Sequence, residues 1–481
     1  MAGSFLKGQL VNNSESTLKR LWSLYRNSTL SDVQLVVGGA VFSAHKLILS
    51  MCSDVFKTML TDFKWPEAFK EQITLTEEPE CVDVFEDFLE YMYTGHIHLS
   101  NHTVLPVITL ADKYNVKDLS ETCVSYMCDN LDAVGDNLQV VSWLQYARLC
   151  NYRTLEAKCA QYTEWNFQKV VQGRDFLSMN GSTLFEFLSS SELVVHSEYS
   201  LFLHLKRWLL SNQAHCRKCP RARRVMVEKM AGCVRFNMMT SAQLELLCQD
   251  NFIHEYADIF EEGLMQAFQY HSITAVEYFT KLDEKDGGMS SASPDSNSSD
   301  PEKVVTSCQP SSRPRNYTCE DWSCQFTLEN FSCLDDFTTR TFFFSTPVSS
   351  SAADDHACWD WQVDLYPKGV RFPKAIMIGI LENYEIDQHE HHITRLGVMA
   401  KSVHGEIRNV EVSILALASG INGSEYIRNV VKKQCIFDFD GCLHNLDDIV
   451  PFDELMAAGS VYLTEEDRNT FKILIIIKPV R

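Results

Sequence analysis

The chain has 481 residues, more than one hydrophobic core usually serves, and its 45% hydrophobic, 11% aromatic and 22% charged residues match packed soluble domains rather than disordered or collagen-like chains. With 64 acidic against 43 basic residues the net charge is −21, which repels phosphate backbones and anionic lipid; without a sizeable basic patch, neither nucleic acid nor membrane is an expected partner. No stretch reaches the roughly 18 apolar residues of a membrane span, and the opening "MAGSFLKGQL" lacks the apolar run of a secretory signal, so a cytoplasmic location is expected, with the nucleus as a second one.

The first pattern is "SESTLKRLWSLYR", where Leu18, Leu21, Trp22 and Tyr25 follow the i, i+3, i+4, i+7 spacing of an amphipathic helix that Ser14 or Ser16 could cap. "SDVQLVVGGAVFSAHK" follows, two short apolar runs around Gly38-Gly39, the signature of a hairpin whose tight turn needs positive φ. "HKLILSMCSDVFKTML" has helical spacing broken at Cys52-Ser53-Asp54, where a second short helix can be capped. Then come "DFKWPEAFKEQITL", with a strand at its end, and three helical patterns, "PECVDVFEDFLEYMYTG", "NHTVLPVITLADKYNV" and "KDLSETCVSYMCDNL".

These residues resemble the BTB/POZ domain over about 15–130, through "SDV" at 31–33, "FSAHKLILS" at 42–50, "SDVFKTML" at 53–60, "FLEYMYTG" at 88–95 and "LADKYNVKDL" at 110–119. The resemblance implies a homodimer, with Asp32 and Lys46 near its centre; read by themselves the two could simply be solvated. The apolar helix face carrying Leu18, Leu21, Trp22 and Tyr25, together with Leu47, is the expected dimer surface, because so small a domain cannot readily cover that area alone. Family members that recruit the ligase scaffold cullin-3 carry a hydrophobic residue, any residue and a glutamate in the loop before the third strand, which here is Trp65-Pro66-Glu67, and Tyr93 would line the same face. Proline ends a helix and fixes its own φ, so the indole would be presented on a stiff loop as an interface anchor. The bland alternative is that Trp65 plugs the loop against Phe63 or Phe69 while Glu67 is solvated.

Residues 131–280 read as helix throughout, from "NLQVVSWLQYARLCNYRTLEAKCAQYTEWNFQKVV", with Gly173 as a stop, to "TLFEFLSSSELVVHSEYSLFLHLKRWLLSN". They are similar to the BACK domain, a helical spacer that commonly follows BTB. Residues 281–315 are rich in Ser, Pro, Asp and Gly, and are expected to be a disordered linker. Residues 316–481 turn to strand patterns, "DHACWDWQVDLYPKGVRFPKAIMIGILENYE", "NVEVSILALAS" and "NTFKILIIIKPV". They resemble the TRAF-like (MATH) fold through "WQVDLYPKG" at 361–369 and the ending "FDELMAAGSVYLTEEDRNTFKILIIIKPV". BTB proteins with a MATH domain usually carry it first; the order found here occurs in a group that looks secreted. The expected fold class is therefore α+β multidomain: an α/β BTB/POZ domain, an all-α BACK domain and a C-terminal antiparallel β-sandwich.

Several stretches imitate catalytic or metal sites. "CIFDFDGCL" at 435–443 copies the DxDG of haloacid-dehalogenase phosphatases through Asp438 and Asp440, but no βαβ alternation follows to build the parallel sheet such a site needs. "DQHEHH", with His389, His391 and His392, lacks the partner spacing of known zinc sites. "HCRKCPRARR" has a single C-x2-C at Cys216 and Cys219 and reads as a solvated loop between helices; the alternatives for its basic run are a nuclear signal or, in a secreted protein, a processing site at Arg221–Arg224. Neither metal nor cofactor is expected, and no enzyme.

Seventeen cysteines, an odd number scattered through apolar segments, read as buried thiols, whereas N-x-S/T acceptors at Asn12, Asn27, Asn101, Asn180, Asn297, Asn316, Asn330 and Asn422 exceed the roughly three expected by chance. The leading expectation is a non-catalytic adaptor: it dimerises through BTB, recruits cullin-3 ubiquitin ligase and holds an unknown protein substrate on residues 316–481. The alternative is a secreted, glycosylated oligomeric scaffold related to galectin-3-binding protein.

Overall fold

The computed structural model describes residues 13–131, 139–211, 220–286, 314–347, 358–373, 388–401, 407–420, 423–439, 441–464 and 469–480. The chain divides into two compact units, one made of residues up to Leu131 with Tyr146–Lys158, the other of Asp132–Gln145 with everything from Cys159 onward.

In the first unit helix α1 (Ser14–Arg26) is followed by strands β1 (Val33–Val37) and β2 (Ala40–Ala44), helices α2 (Lys46–Cys52) and α3 (Asp54–Thr61), and strand β3 (Gln72–Leu75). Helices α4 (Pro79–Asp83), α5 (Phe85–Thr94), α6 (Val104–Lys113) and α7 (Lys117–Asp129) complete the succession. The sheet order is β2-β1-β3, with β1 antiparallel to β2 and parallel to β3. The hairpin expected at Gly38-Gly39 is present with φ of 57° and 89°. Gly38 is needed twice over, since a Cβ there would also lie 2.4 Å from Val82 Cγ1. Ser53 caps α3 by accepting a hydrogen bond from the Phe56 amide, as the sequence suggested. Helix α1 differs: it starts one residue early, with Asn13 at the N-cap, so Ser14 and Ser16 fall inside it.

The core of this unit is Leu35, Val37, Leu49, Phe85, Phe88 and Leu89, all fully buried, with Phe56 stacked on Tyr114 at 4.4 Å. Helix α8 (Val140–Cys150) and the start of α9 (Arg153–Trp165) bring Tyr146 and Tyr152 to Asp112 on α6. Both hydroxyls donate to the Asp112 carboxylate at 2.6 Å, and Ser120 donates to it at 2.8 Å. A half-buried carboxylate accepting three hydroxyls is satisfied without a cation.

The second unit holds the remaining helices and the strand-rich region. After α10 (Phe167–Val170) and α11 (Gly181–Ser189) comes a two-residue strand, β4 (Val194–Val195). Helices α12 (Glu198–Ser211), α13 (Pro220–Cys233), α14 (Ser241–Cys248), α15 (Asn251–Glu255) and the long α16 (Ala257–Asp286) follow. Helix α16 runs past residue 281, where composition starts the linker, and residues 287–313 of that segment lie outside the described residues.

The strand region is a sandwich, as its patterns suggested. One sheet has the order β14-β11-β8-β7, formed by β7 (Arg340–Pro347), β8 (Cys358–Tyr366), β11 (Arg395–Lys401) and β14 (Leu443–Asp447), all antiparallel. The other runs β13-β12-β16-β15, with β6 also on β16; its members are β6 (Ser323–Leu328), β12 (Arg408–Ser419), β13 (Glu425–Phe437), β15 (Leu463–Thr464) and β16 (Thr470–Pro479). Strands β9 (Val370–Pro373) and β10 (Gln388–His391) pair separately. Alternation along β8 sends Trp361, Val363 and Leu365 inward, and Trp361 meets Phe437 across the two sheets at 5.2 Å.

Strands β12 and β16 do not alternate cleanly because both faces are covered. Their outward Leu415 and Ile476 pack with Val194 of β4, so the helices form a third layer on the sandwich. Strand β5 (Asn316–Tyr317) pairs in parallel with β4, in register Val194↔Asn316 and Val195↔Tyr317. Asn166, at the end of α9, exchanges two hydrogen bonds with the backbone of Ile427, beside the register shift in the β12–β13 ladder.

Candidate partner-binding surface

The loop between α3 and β3 is built by its own backbone. Asp62 accepts from the Trp65 amide at 2.9 Å and, through Oδ1, from the Lys64 amide at 3.0 Å, after which Pro66–Phe69 form one 3-10 turn with proline in its first position. Trp65 is 51% exposed at the start of that turn, flanked by Phe63 at 77% and Phe69 at 69%. The last two rings pack on each other at 5.6 Å, and both remain largely exposed. Glu67 pairs with Lys70 at 3.2 Å, and its own backbone N–H, then Lys70, hold its carboxyl below the usual value; like any glutamate near that range it is ionised at neutral pH.

Residues expected at a dimer centre support this loop. Asp32 Oδ1 accepts from the Lys46 amide at 2.7 Å, and the Lys46 ammonium donates to the Ala68 carbonyl at 3.0 Å, inside the turn that carries Glu67. Neither residue is merely solvated. Leu47 is 76% exposed, and Leu18, Leu21 and Trp22 are half-buried on α1. Tyr25 is buried and stacks on Trp22 at 4.9 Å, and burial first, then the nearby Glu86, pushes its hydroxyl up to about 12.

Tyr93 is not brought to the surface beside Trp65. It is 2% exposed, 4.9 Å from the Tyr25 ring, and its hydroxyl meets both the amide of His45 at 3.0 Å and His45 Nδ1 at 2.8 Å. As the pin between α1, the β2–α2 corner and α5, it supports the surface from beneath. The "YMY" pattern is compatible with either place, because a tyrosine's apolar ring and polar tip suit core and interface alike.

The imitations of catalytic sites stay apart. Asp438 is exposed just after the antiparallel strand β13, Asp440 lies outside the described residues, and so do Cys216 and Cys219. His392 lies between the rings of Phe337 and Phe452, His391 is exposed at the end of β10, and the side chain of His389 is outside the described set. Among the described residues no group of three His, Cys, Asp or Glu is placed to hold a metal, and no helix is long and apolar enough to cross a membrane.

Three family models match the chain in series: BTB/POZ domain over residues 21–131, BTB And C-terminal Kelch over 140–249, and BTBD17 TRAF domain over 312–481. The chain thus carries a BTB/POZ domain, a BACK domain and a C-terminal TRAF domain, in that order. It is 27% identical to BTB/POZ domain-containing protein 17 of Xenopus laevis, across 99% of this chain and 93% of that one. Galectin-3-binding protein of Bos taurus is 28% identical over 48% of this chain and 39% of its own length, and human Kelch-like protein 24 is 26% identical over 41% and 32% respectively.

The seam between the BACK helices and the TRAF sandwich was not read from the sequence. Arg315, which composition assigns to the linker, is fully buried: Nε pairs with Glu198 at 2.8 Å, and its other nitrogens donate to the carbonyls of Leu188, Ser190 and Cys233 at 2.7, 2.7 and 2.8 Å. Tyr317 donates to the same Glu198 oxygen at 2.8 Å, and burial, then Glu198, raises its hydroxyl far above its ordinary range. Nearby, Lys478 donates to Asn316 Oδ1 at 2.9 Å and pairs with Glu411. The only local hint was the arginine directly before "NY" at the edge of a strand region.

Proposed function

We propose that the protein is a non-catalytic substrate-recognition adaptor: it pairs through its BTB domain, docks cullin-3 through Trp65-Pro66-Glu67, and holds a protein substrate on the TRAF domain for ubiquitin transfer in the cytoplasm. The observation that carries this reading is the half-exposed Trp65 indole and ionised Glu67 on a turn braced from behind by Lys46. An aromatic anchor with a neighbouring charge on a preorganised loop has the character of an interface hot spot. The paired BTB surface comprises Leu18, Leu21, Trp22, Asp32, Lys46 and Leu47, with Tyr25 and Tyr93 supporting it from within. The matched domains are of kinds that typically mediate interaction rather than catalysis, and Kelch-like relatives lend weight to self-association and cullin docking. The test is co-purification of cullin-3 with the full chain and with Trp65→Ala/Glu67→Ala; equal recovery from both would defeat the docking claim.

A second reading, a secreted oligomeric scaffold, is favoured by the similarity to galectin-3-binding protein and by exposed acceptors at Asn27 and Asn330. Asn316 is removed from its support, because it is fully buried with its amide on the Glu192 carbonyl. Glycosidase treatment of protein from its native source separates the readings: a gel shift favours the scaffold, its absence the adaptor.

A further inference from the structure

A cleft of about 390 Å³ opens within the second unit, where the segment leading into α12, the segment ahead of α14 and the β5–β6 corner meet. That is the small end of the range for ligand sites, suited to one long side chain and its backbone rather than a large cofactor. Its apolar lining includes Tyr317 and Trp322, with ring centroids 6.1 Å apart, and Met238. Glu320 and Asp321 also line it; both are exposed, and neither is engaged in an ion pair among the described residues. No lysine or arginine is among the described residues lining it, and His196 is its one basic side chain.

We propose that this cleft receives an arginine or lysine side chain from a partner polypeptide. An amphipathic cation lays its stem along apolar surface, here chiefly Met238, since Tyr317 and Trp322 are only 2% and 6% exposed, and carries its head to the exposed carboxylates of Glu320 and Asp321, where a charged hydrogen bond favours it. The walls are set before any ligand arrives. Tyr317 is held by its hydroxyl on Glu198, and Thr240 and Gln243 form a reciprocal capping box with bonds of 3.3 and 3.1 Å. Little ordering is therefore left to oppose binding. The chain's net charge of −21 adds long-range attraction for a basic segment.

The inference rests on the substrate-holding half of the proposed function and names its substrate class as proteins presenting an exposed basic residue. It is tested without cullin, so its failure leaves the docking claim where it stood. Calorimetric titration of the full chain would use hexa-arginine and its uncharged isostere hexa-citrulline as probes. Two variants are compared with the unaltered chain: Glu320→Gln/Asp321→Asn at the cleft, and Glu261→Gln/Glu262→Gln at exposed positions of α16 as a control for charge at large. The expected result is hexa-arginine binding that weakens about tenfold in the cleft variant and holds in the control, with hexa-citrulline at least about tenfold weaker. Equal weakening in both variants, equal binding of the two peptides, or no binding by the unaltered chain would each overturn it.

Discussion

Arg315 and Glu198, 117 residues apart in sequence, form an ion pair at 2.8 Å in which neither side chain is exposed. Such a pair is compensated only while both partners and the surrounding carbonyls are present. Arg315→Ala is expected to destabilise the second unit by about 3–5 kcal/mol, because it strands a buried carboxylate. Replacing both partners, Arg315→Met with Glu198→Leu, should cost less than Arg315→Ala alone. Urea midpoints of the full-length variants check this, and a larger loss in the double variant would contradict the account.

Removing the exposed anchor has the opposite profile. Trp65→Ala with Glu67→Ala should weaken cullin-3 binding by about 2–4 kcal/mol while leaving the thermal midpoint of the chain nearly unchanged. Neither side chain is part of the buried core, and so a drop in midpoint comparable to a core mutation would show the loop to be structural instead.

Asp112 is the acceptor for three hydroxyls, so Asp112→Ala should cost about 3 kcal/mol, whereas Tyr152→Phe alone should cost about 1. A double-mutant cycle between the two sites, read by denaturant unfolding, should give a coupling energy above about 0.5 kcal/mol. Strict additivity would mean that the 2.6 Å contact does not matter in solution.

Arg395 and Asp447 face each other across β11 and β14, and the arginine's hydrogen bond, ahead of every other influence that favours ionisation, holds the Asp447 carboxyl below its usual value. A depressed carboxylate contributes stability that is present above the unfolded value of about 4 and is lost as pH falls through the lower folded value. Asp447→Asn should therefore lower stability at pH 7, by less than about 1 kcal/mol for a pair whose carboxylate is exposed, and the difference from the unaltered chain should shrink as pH falls below about 4. A difference that grows on acidification would reverse the sign and refute the assignment.

What could be read from sequence was whatever is decided locally. Gly38-Gly39 announce their turn because few other residues accept those dihedrals, Ser53 announces a cap three residues before the amide it serves, and the apolar runs of β12 and β16 announce buried strands. What escaped depends on partners distant in the chain. Arg315 looks like solvated linker until Glu198 is beside it, and Tyr93 looks like an interface residue until His45 claims its hydroxyl. The loop of Trp65 lies between these cases: proline at the head of its turn is local, and an outward indole was the leading expectation, but Phe63 packing on Phe69 was not read.

The two-residue ladder of β4 with β5 limits how the molecule can be dissected. A truncation that discards everything after Arg315 would take Asn316 and Tyr317 from their pairing with Val194 and Val195, and would uncover the apolar face that Leu415 and Ile476 now shield. Such a fragment would be sticky, and proteins captured or lost by it would reflect that wound; point substitutions at the surface, not deletions, are the sound way to ask what the sandwich holds.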